Sequence, residues 1–181
     1  VIRTRVGYAG GTSSNPGYYD LADHSEAIQF NYDPDVLSYP ALLEIFWGSH
    51  DPTLRKSTQY MSRVFYHTDS QCAEAALSRE KEEKGLGIRF RTELMPYTQF
   101  YLAEDYHQKY YLRQNALLMA DYAAIYPETS RLIQSTAAAR VNGFAGGNGT
   151  RAGLQAQIGL LGLSERGKQE LLLIARKLPE N

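Results

Sequence analysis

"HSEAIQFNYDPDVLSYPALLEIFWGSHDPT", residues 24–53, changes its hydrophobic period halfway. From Glu26 to Tyr32 it alternates, with Ile28, Phe30 and Tyr32 on one face and Gln29 and Asn31 on the other, the period of a half-buried strand. "DPDVLS" then makes a turn. Ser38 is placed to cap a helix with Pro40 in its first turn, and Tyr39, Leu42, Leu43, Phe46 and Trp47 form one apolar stripe at helical spacing. A strand that hands over to an amphipathic helix is the unit from which an α+β domain is built.

The flanks extend the pattern. Ile2 to Tyr8 reads as a strand, followed by the turn-rich loop "GYAGGTSSNPGYY". Gln59 to Tyr66 is a β-rich run. Asp69 is expected to cap a helix running to about Lys84, with Gly85 as its stop. Ile88 to Glu93 alternates as a strand with one wet face, and a helix is expected near Glu104. The order predicts a two-layer α+β domain over residues 1–114. From Asn115 to Lys177 the pattern is helical, broken at Pro127, at "NGFAGGNG" and at Gly162, with Ser164 capping the last helix. Residues 115–181 therefore read as a helical extension packed on the same domain.

Composition bounds the function. The 181 residues carry a net charge of −1, which offers no broad field to nucleic acid or an anionic membrane. No run approaches a membrane-spanning length and no signal peptide precedes the first segment, so the expectation is a cytoplasmic protein. Cys72 is the one cysteine, which excludes an intrachain disulfide and a cysteine-built zinc site. The chain starts inside a strand-like pattern without an initiator Met, so upstream residues are expected to be missing.

Four clusters invite chemistry. Asp23, His24, Glu26, His50 and Asp51 have the residue types of an iron or zinc site, but such sequences also form ordinary turns. Glu104 and His107 in "EDYH" are spaced to share a helix face, as in di-iron bundles, yet the companion motifs such a site needs are absent. Cys72 lies early in a helix, which favours a thiolate slightly, with Glu74 close by to oppose it. "GYAGGTSSNPG" has glycines but not the Lys-Ser/Thr of a phosphate loop. The residues alone lead to a pocket with one general acid, Glu26, assisted by some of the 14 tyrosines.

"RVGYAGG", "NPGY", the quoted stretch, "TQYMSRVFY" and "FYLAEDYHQKYY" together resemble the peptide methionine sulfoxide reductase A family, from about Arg3 to Tyr111. The resemblance implies an α/β plait of ferredoxin-like type, with a mixed central sheet and flanking helices. It implies that a cysteine thiolate attacks the sulfur of methionine-S-sulfoxide while a glutamic acid protonates the departing oxygen and tyrosine hydroxyls hold it. The resulting sulfenic acid is reduced by an external thiol, thioredoxin or a small dithiol, with no bound cofactor and no metal. On this likeness the acid falls on Glu26, the oxygen-binding tyrosines on Tyr18 and Tyr60, and the pocket lining on His107 and Tyr110. The substrate is methionine sulfoxide, free or in an oxidised protein.

The sequence departs from the family in places. The family's nucleophile lies in a Gly-Cys-Phe-Trp motif upstream of "RVGYAGG", which these residues do not contain. "HSE" stands where the family usually has "HAE". The acidic residue before "TQY" has no counterpart, Arg55 and Lys56 lying there instead, and the resolving cysteines are absent. Three readings stand: a one-cysteine reductase whose N-terminus is missing here, a non-catalytic paralogue that binds methionine-containing peptides or a partner, and a metal-binding domain.

Overall fold

The computed structural model describes residues 1–180. It is a mixed α and β structure of five strands, eight α-helices and short 3-10 turns among those residues. Strands β1 (Arg3–Ala9), β2 (Ser25–Asn31) and β5 (Phe100–Leu102) form one sheet in the order β2-β1-β5, with β1 antiparallel to β5. β3 (Arg63–Tyr66) and β4 (Glu93–Pro96) form a separate parallel pair. The described strands thus lie in a sheet of three and a pair.

By contacts the chain divides into two compact units. One comprises residues 6–28 and 32–103. The other comprises residues 1–5, 29–31 and 104–181.

In the first unit, helix α1 (Tyr39–Gly48) forms as its sequence dictates. The Ser38 hydroxyl accepts from the Ala41 N–H at 3.3 Å, Pro40 occupies the first turn, and Leu42, Leu43 and Trp47 are buried. The helix packs on α2 (Asp69–Leu86), with Leu43, Trp47, Val64 and Ala75 in one core. The Trp47 indole N–H donates to Ser78 Oγ at 2.8 Å.

Both ends of α2 differ from the expectation. Thr68, not Asp69, is the cap, its hydroxyl accepting from Gln71 N–H at 3.2 Å. The stop is Gly87 at φ 68°, a left-handed conformation that glycine adopts without strain, while Gly85 remains helical.

The strand expected over Ile88 to Glu93 is confined to Glu93 onward. The buried Glu83 carboxylate accepts the Phe90 N–H at 2.7 Å, and the Pro52 carbonyl accepts the Arg91 N–H at 2.8 Å. Those donors are committed before any ladder can use them. The Phe90 N–H and the Arg89 guanidinium at 3.0 Å hold the Glu83 carboxyl below the usual range, despite its burial. In the same way "TQY" forms a 3-10 turn, Thr58–Tyr60, instead of opening a strand. Ile28 is 59% exposed, so its face of β2 is less covered than the alternation predicted.

The second unit is helical. It holds α3 (Tyr110–Arg113), α4 (Ala116–Ile125), α5 (Thr129–Gln134), α6 (Thr136–Ala145), α7 (Arg151–Gln157) and α8 (Glu165–Ile174). Its core joins Leu112, Leu118, Tyr122, Leu154 and Leu171, all fully buried. Ser164 caps α8 by accepting from Gly167 N–H at 3.1 Å, as expected.

The single helix expected near Glu104 is instead a 3-10 turn, Asp105–His107, followed by α3. Between them Lys109 lies at φ 53°, and its buried ammonium donates to the Thr4 carbonyl and, at 3.0 Å, to Thr4 Oγ1. A left-handed residue cannot continue a right-handed helix.

Burial first, and the Arg5 charge second, push Lys109 down to about 8 from the ordinary 10.5. Between those values the unfolded chain binds more protons than the folded one, so stability rises with pH. Denaturant midpoints measured from about pH 8 to pH 10 are expected to rise for the wild type relative to Lys109→Met. A constant difference would show that the site does not disfavour the charge.

Candidate functional site

Three of the residues that the sequence singled out, Glu26, Tyr18 and Tyr60, join one hydrogen-bonded group in the first unit. Glu26 stands on β2, Tyr60 on the 3-10 turn, and Tyr18 on the loop after β1. Gln59 Nε2 donates to Glu26 Oε1 at 2.8 Å and to the Tyr60 hydroxyl oxygen at 3.0 Å. The Tyr60 hydroxyl is bonded in turn to that of Tyr18. That bond, first among the causes, pushes Tyr60 up to about 12, with desolvation and the Glu26 charge acting in the same direction. Carboxyl, amide and two phenols thus form one chain. Glu26 itself is exposed.

The backbone beneath this group is pinned. Ser25 Oγ donates to the Thr58 carbonyl, and Arg63 Nη1 donates to Ser25 Oγ at 2.8 Å. Arg63 Nε also pairs with Glu93 at 2.9 Å. Ser25 and Thr58 are the neighbours of Glu26 and Gln59, so the bond fixes the spacing between the two side chains above it. The Ser in "HSE" is the sequence signal for this tie, though its partner could not be read there.

The loop carrying Tyr18 is held by Asp23 and His24. Asp23 accepts from the Thr12 N–H at 2.8 Å and from its hydroxyl at 2.9 Å. The Thr12 hydroxyl, then its N–H, hold the Asp23 carboxyl down at about 2. His24 is buried. Its Nδ1 accepts from the Gly11 N–H at 3.2 Å, which leaves Nε2 to carry the proton and donate to the Ser13 carbonyl at 2.9 Å. A Cβ at Gly11 would lie 2.5 Å from Asp23 Oδ1 and from the His24 ring, so this close approach requires glycine. The glycine-rich stretch is a clamped turn.

His50 is similarly occupied. Its Nδ1 lies 2.9 Å from the Phe46 carbonyl, which can only accept, and its Nε2 lies 2.7 Å from Ser62 Oγ. Among the described residues no group of three or more His, Cys, Asp or Glu is placed to hold a metal ion. Cys72 is partly buried in the first turns of α2, and its thiol is bonded to the Tyr66 hydroxyl.

His107 and Tyr110 lie in the helical unit. The His107 ring packs against that of Tyr106 with centroids 4.2 Å apart, and Tyr110 is 51% exposed with an edge contact to Tyr111. No helix among the described residues is long and apolar enough to cross a membrane.

A carboxyl and two phenols joined by hydrogen bonds suit a small polar oxygen that must be held and protonated. Comparison with known proteins gives the family. The family model described as peptide methionine sulfoxide reductase matches residues 1–140, past Tyr111, where the motif-by-motif likeness ends. The chain is 40% identical over 129 residues to the peptide methionine sulfoxide reductase MsrA of Methanosarcina mazei, covering 65% of this chain and 61% of that protein. It is 35% identical over 173 residues to the peptide methionine sulfoxide reductase of Drosophila melanogaster, covering 93% of this chain and 69% of that one.

Solved structures give the same result. Mxr1 from Saccharomyces cerevisiae in reduced form superposes with a TM-score of 0.57 at 34% identity, covering 62% of this chain and 70% of that one. Methionine sulfoxide reductase A of Corynebacterium diphtheriae gives 0.57 at 31% identity, covering 65% of each chain. The chain belongs to the peptide methionine sulfoxide reductase family. It spans 61% and 59% of the lengths of its Methanosarcina mazei and Oryza sativa relatives.

Proposed function

We propose that this chain carries the oxygen-binding and proton-donating side of a methionine-S-sulfoxide reductase, acting on the free amino acid or on oxidised protein. The observation that carries the reading is the Gln59 bridge, which joins Glu26 to Tyr60 and so to Tyr18. Tyr18 and Tyr60 hydrogen-bond the sulfoxide oxygen, and Glu26 as the acid gives it a proton. Overall the sulfoxide and two thiol equivalents become methionine, a disulfide and water. The reductant is an external thiol, thioredoxin-like or a small dithiol, and no bound cofactor takes part. His107 and Tyr110 are assigned to substrate binding on the sequence likeness alone. We also read the strands as those of a two-layer ferredoxin-like plait, and residues 115–181 as a helical extension of a domain formed by residues 1–114. A cytoplasmic setting fits a repair activity supplied by cellular thiols.

Reduction also needs a nucleophile, and neither the acid nor the phenols can act as one. The one thiol of the 181 residues, Cys72, is bonded to Tyr66. The isolated 181-residue chain is therefore expected to bind a methionine sulfoxide without reducing it. Its preference for N-acetyl-methionine-S-sulfoxide over N-acetyl-methionine, read by NMR titration, is expected to fall about tenfold in Glu26→Gln, the scale of one hydrogen bond. An unchanged preference would remove Glu26 from the site. Dithiothreitol-dependent turnover that disappears in Cys72→Ser would overturn the structural role given to that thiol.

A further inference from the structure

We propose that Gln59 is a positioning residue that sets the direction of the protons in this site, an inference that rests on reading Glu26, Tyr18 and Tyr60 as the oxygen site. A primary amide has two N–H donors, and here one serves Glu26 Oε1 at 2.8 Å while the other serves the Tyr60 oxygen at 3.0 Å. Each bond has a directional consequence.

An N–H aimed at Oε1 makes that oxygen the acceptor of the carboxyl. In the neutral acid a proton on Oε1 would face the amide hydrogen, so the acid proton is placed on Oε2. The N–H aimed at Tyr60 occupies a lone pair of the phenol oxygen and turns its O–H outward, to Tyr18 in the empty site, the bond that raises Tyr60, and to the sulfoxide oxygen when one is bound. One amide thereby selects the oxygen that carries the transferable proton and the sense of the phenol chain.

The turn presenting this amide is itself fastened. The Ser25-to-Thr58 bond lies one residue from Glu26 and one from Gln59, and Arg63 braces Ser25 at 2.8 Å. Gln59 is partly buried, whereas Glu26 and Tyr60, which it joins, are exposed. Held this way it orders both without itself needing to reach a ligand.

The test compares wild type, Gln59→Met and Gln59→Glu as the full 181-residue chain. N-acetyl-methionine-S-sulfoxide and N-acetyl-methionine are the two probes, titrated by NMR. Gln59→Met keeps the length and loses both donors. It is expected to weaken sulfoxide binding about tenfold and leave sulfide binding unchanged, because only the sulfoxide uses the ordered protons. Gln59→Glu keeps the shape but turns a donor into an acceptor. It is expected to lose the preference at neutral pH and, relative to wild type at the same pH, to regain part of it as the pH falls and the introduced carboxyl gains its single O–H donor. That recovery does not depend on Gln59→Met folding well. Equal weakening of both probes, with no recovery in acid, would reduce Gln59 to a structural residue and overturn the inference. Unchanged preference in both variants would also overturn it while leaving the oxygen site intact. A wild type that does not distinguish the probes would instead remove the oxygen site, and the inference with it.

Discussion

Leu118→Ala is expected to cost the helical unit about 2–5 kcal/mol, more than any surface change tried there. Leu118 on α4 is fully buried, within a core that includes Leu112, Tyr122, Leu132, Leu154, Leu161 and Leu171. Its neighbours come from several helices, and none of these helices is long enough to be stable alone in water. Their order therefore depends on shared burial. Removing a side chain leaves a cavity that surrounding elements can fill only in part. Leu160→Ala is the control, since Leu160 is 79% exposed and should move stability by no more than about 0.5 kcal/mol. Chemical denaturation followed by circular dichroism reads the difference. A Leu118→Ala midpoint equal to that of Leu160→Ala would mean that the tail is not organised around this core.

The second large effect falls on the unit that carries Glu26. Trp47→Ala is expected to cost about 3–5 kcal/mol. The indole is 7% exposed, contacts Phe46 edge-on with centroids 4.8 Å apart and Phe90 at 5.4 Å, and donates to Ser78 Oγ at 2.8 Å. Trp47→Phe separates these contributions in part, because it keeps most of the apolar body and loses the hydrogen bond, worth about 1 kcal/mol, together with the packing of one ring. Denaturation of both variants by circular dichroism should show a gap of at least about 2 kcal/mol between them. Equal losses would place the stabilisation in the Ser78 bond and not in packing.

What the sequence made legible follows from the range of the forces involved. Helix α1 could be read because its cap, its proline and its apolar stripe all lie within a dozen residues. β1, β2 and the helical tail announced themselves by period and by local breakers, and the capping role of Ser164 held. The misreadings share a different cause. Residues 88–92 alternate like a strand, yet their N–H groups are taken by Glu83 and Pro52, partners that no local pattern reveals. The helix sought at Glu104 is interrupted because Lys109 reaches back to Thr4, over a hundred positions away in the chain. Gly85 and Gly87 are equivalent punctuation in a sequence, and only the φ of 68° at Gly87 shows which one ends α2.

The candidate site divides in the same way. Glu26, Tyr18 and Tyr60 were found through likeness to a family, and the structure brings the three into one hydrogen-bonded chain. Gln59 was passed over although it sits inside "TQY", because an amide has no charge or titration to mark it. Ser25 was visible as a departure from the family pattern, but its meaning required Thr58 and Arg63 to be placed beside it. His24, a metal-ligand candidate by residue type, has both ring nitrogens committed to the loop that carries Tyr18.

Whether these side chains receive a sulfoxide oxygen is decided by a crystal structure of the 181-residue chain soaked with N-acetyl-methionine-S-sulfoxide. The oxygen is expected within hydrogen-bonding distance of the Tyr18 and Tyr60 hydroxyls and of the Glu26 carboxyl, with Gln59 still bridging Glu26 and Tyr60. A sulfoxide bound with its oxygen turned away from all three, or bound elsewhere on the chain while this site stays filled with water, would contradict that expectation.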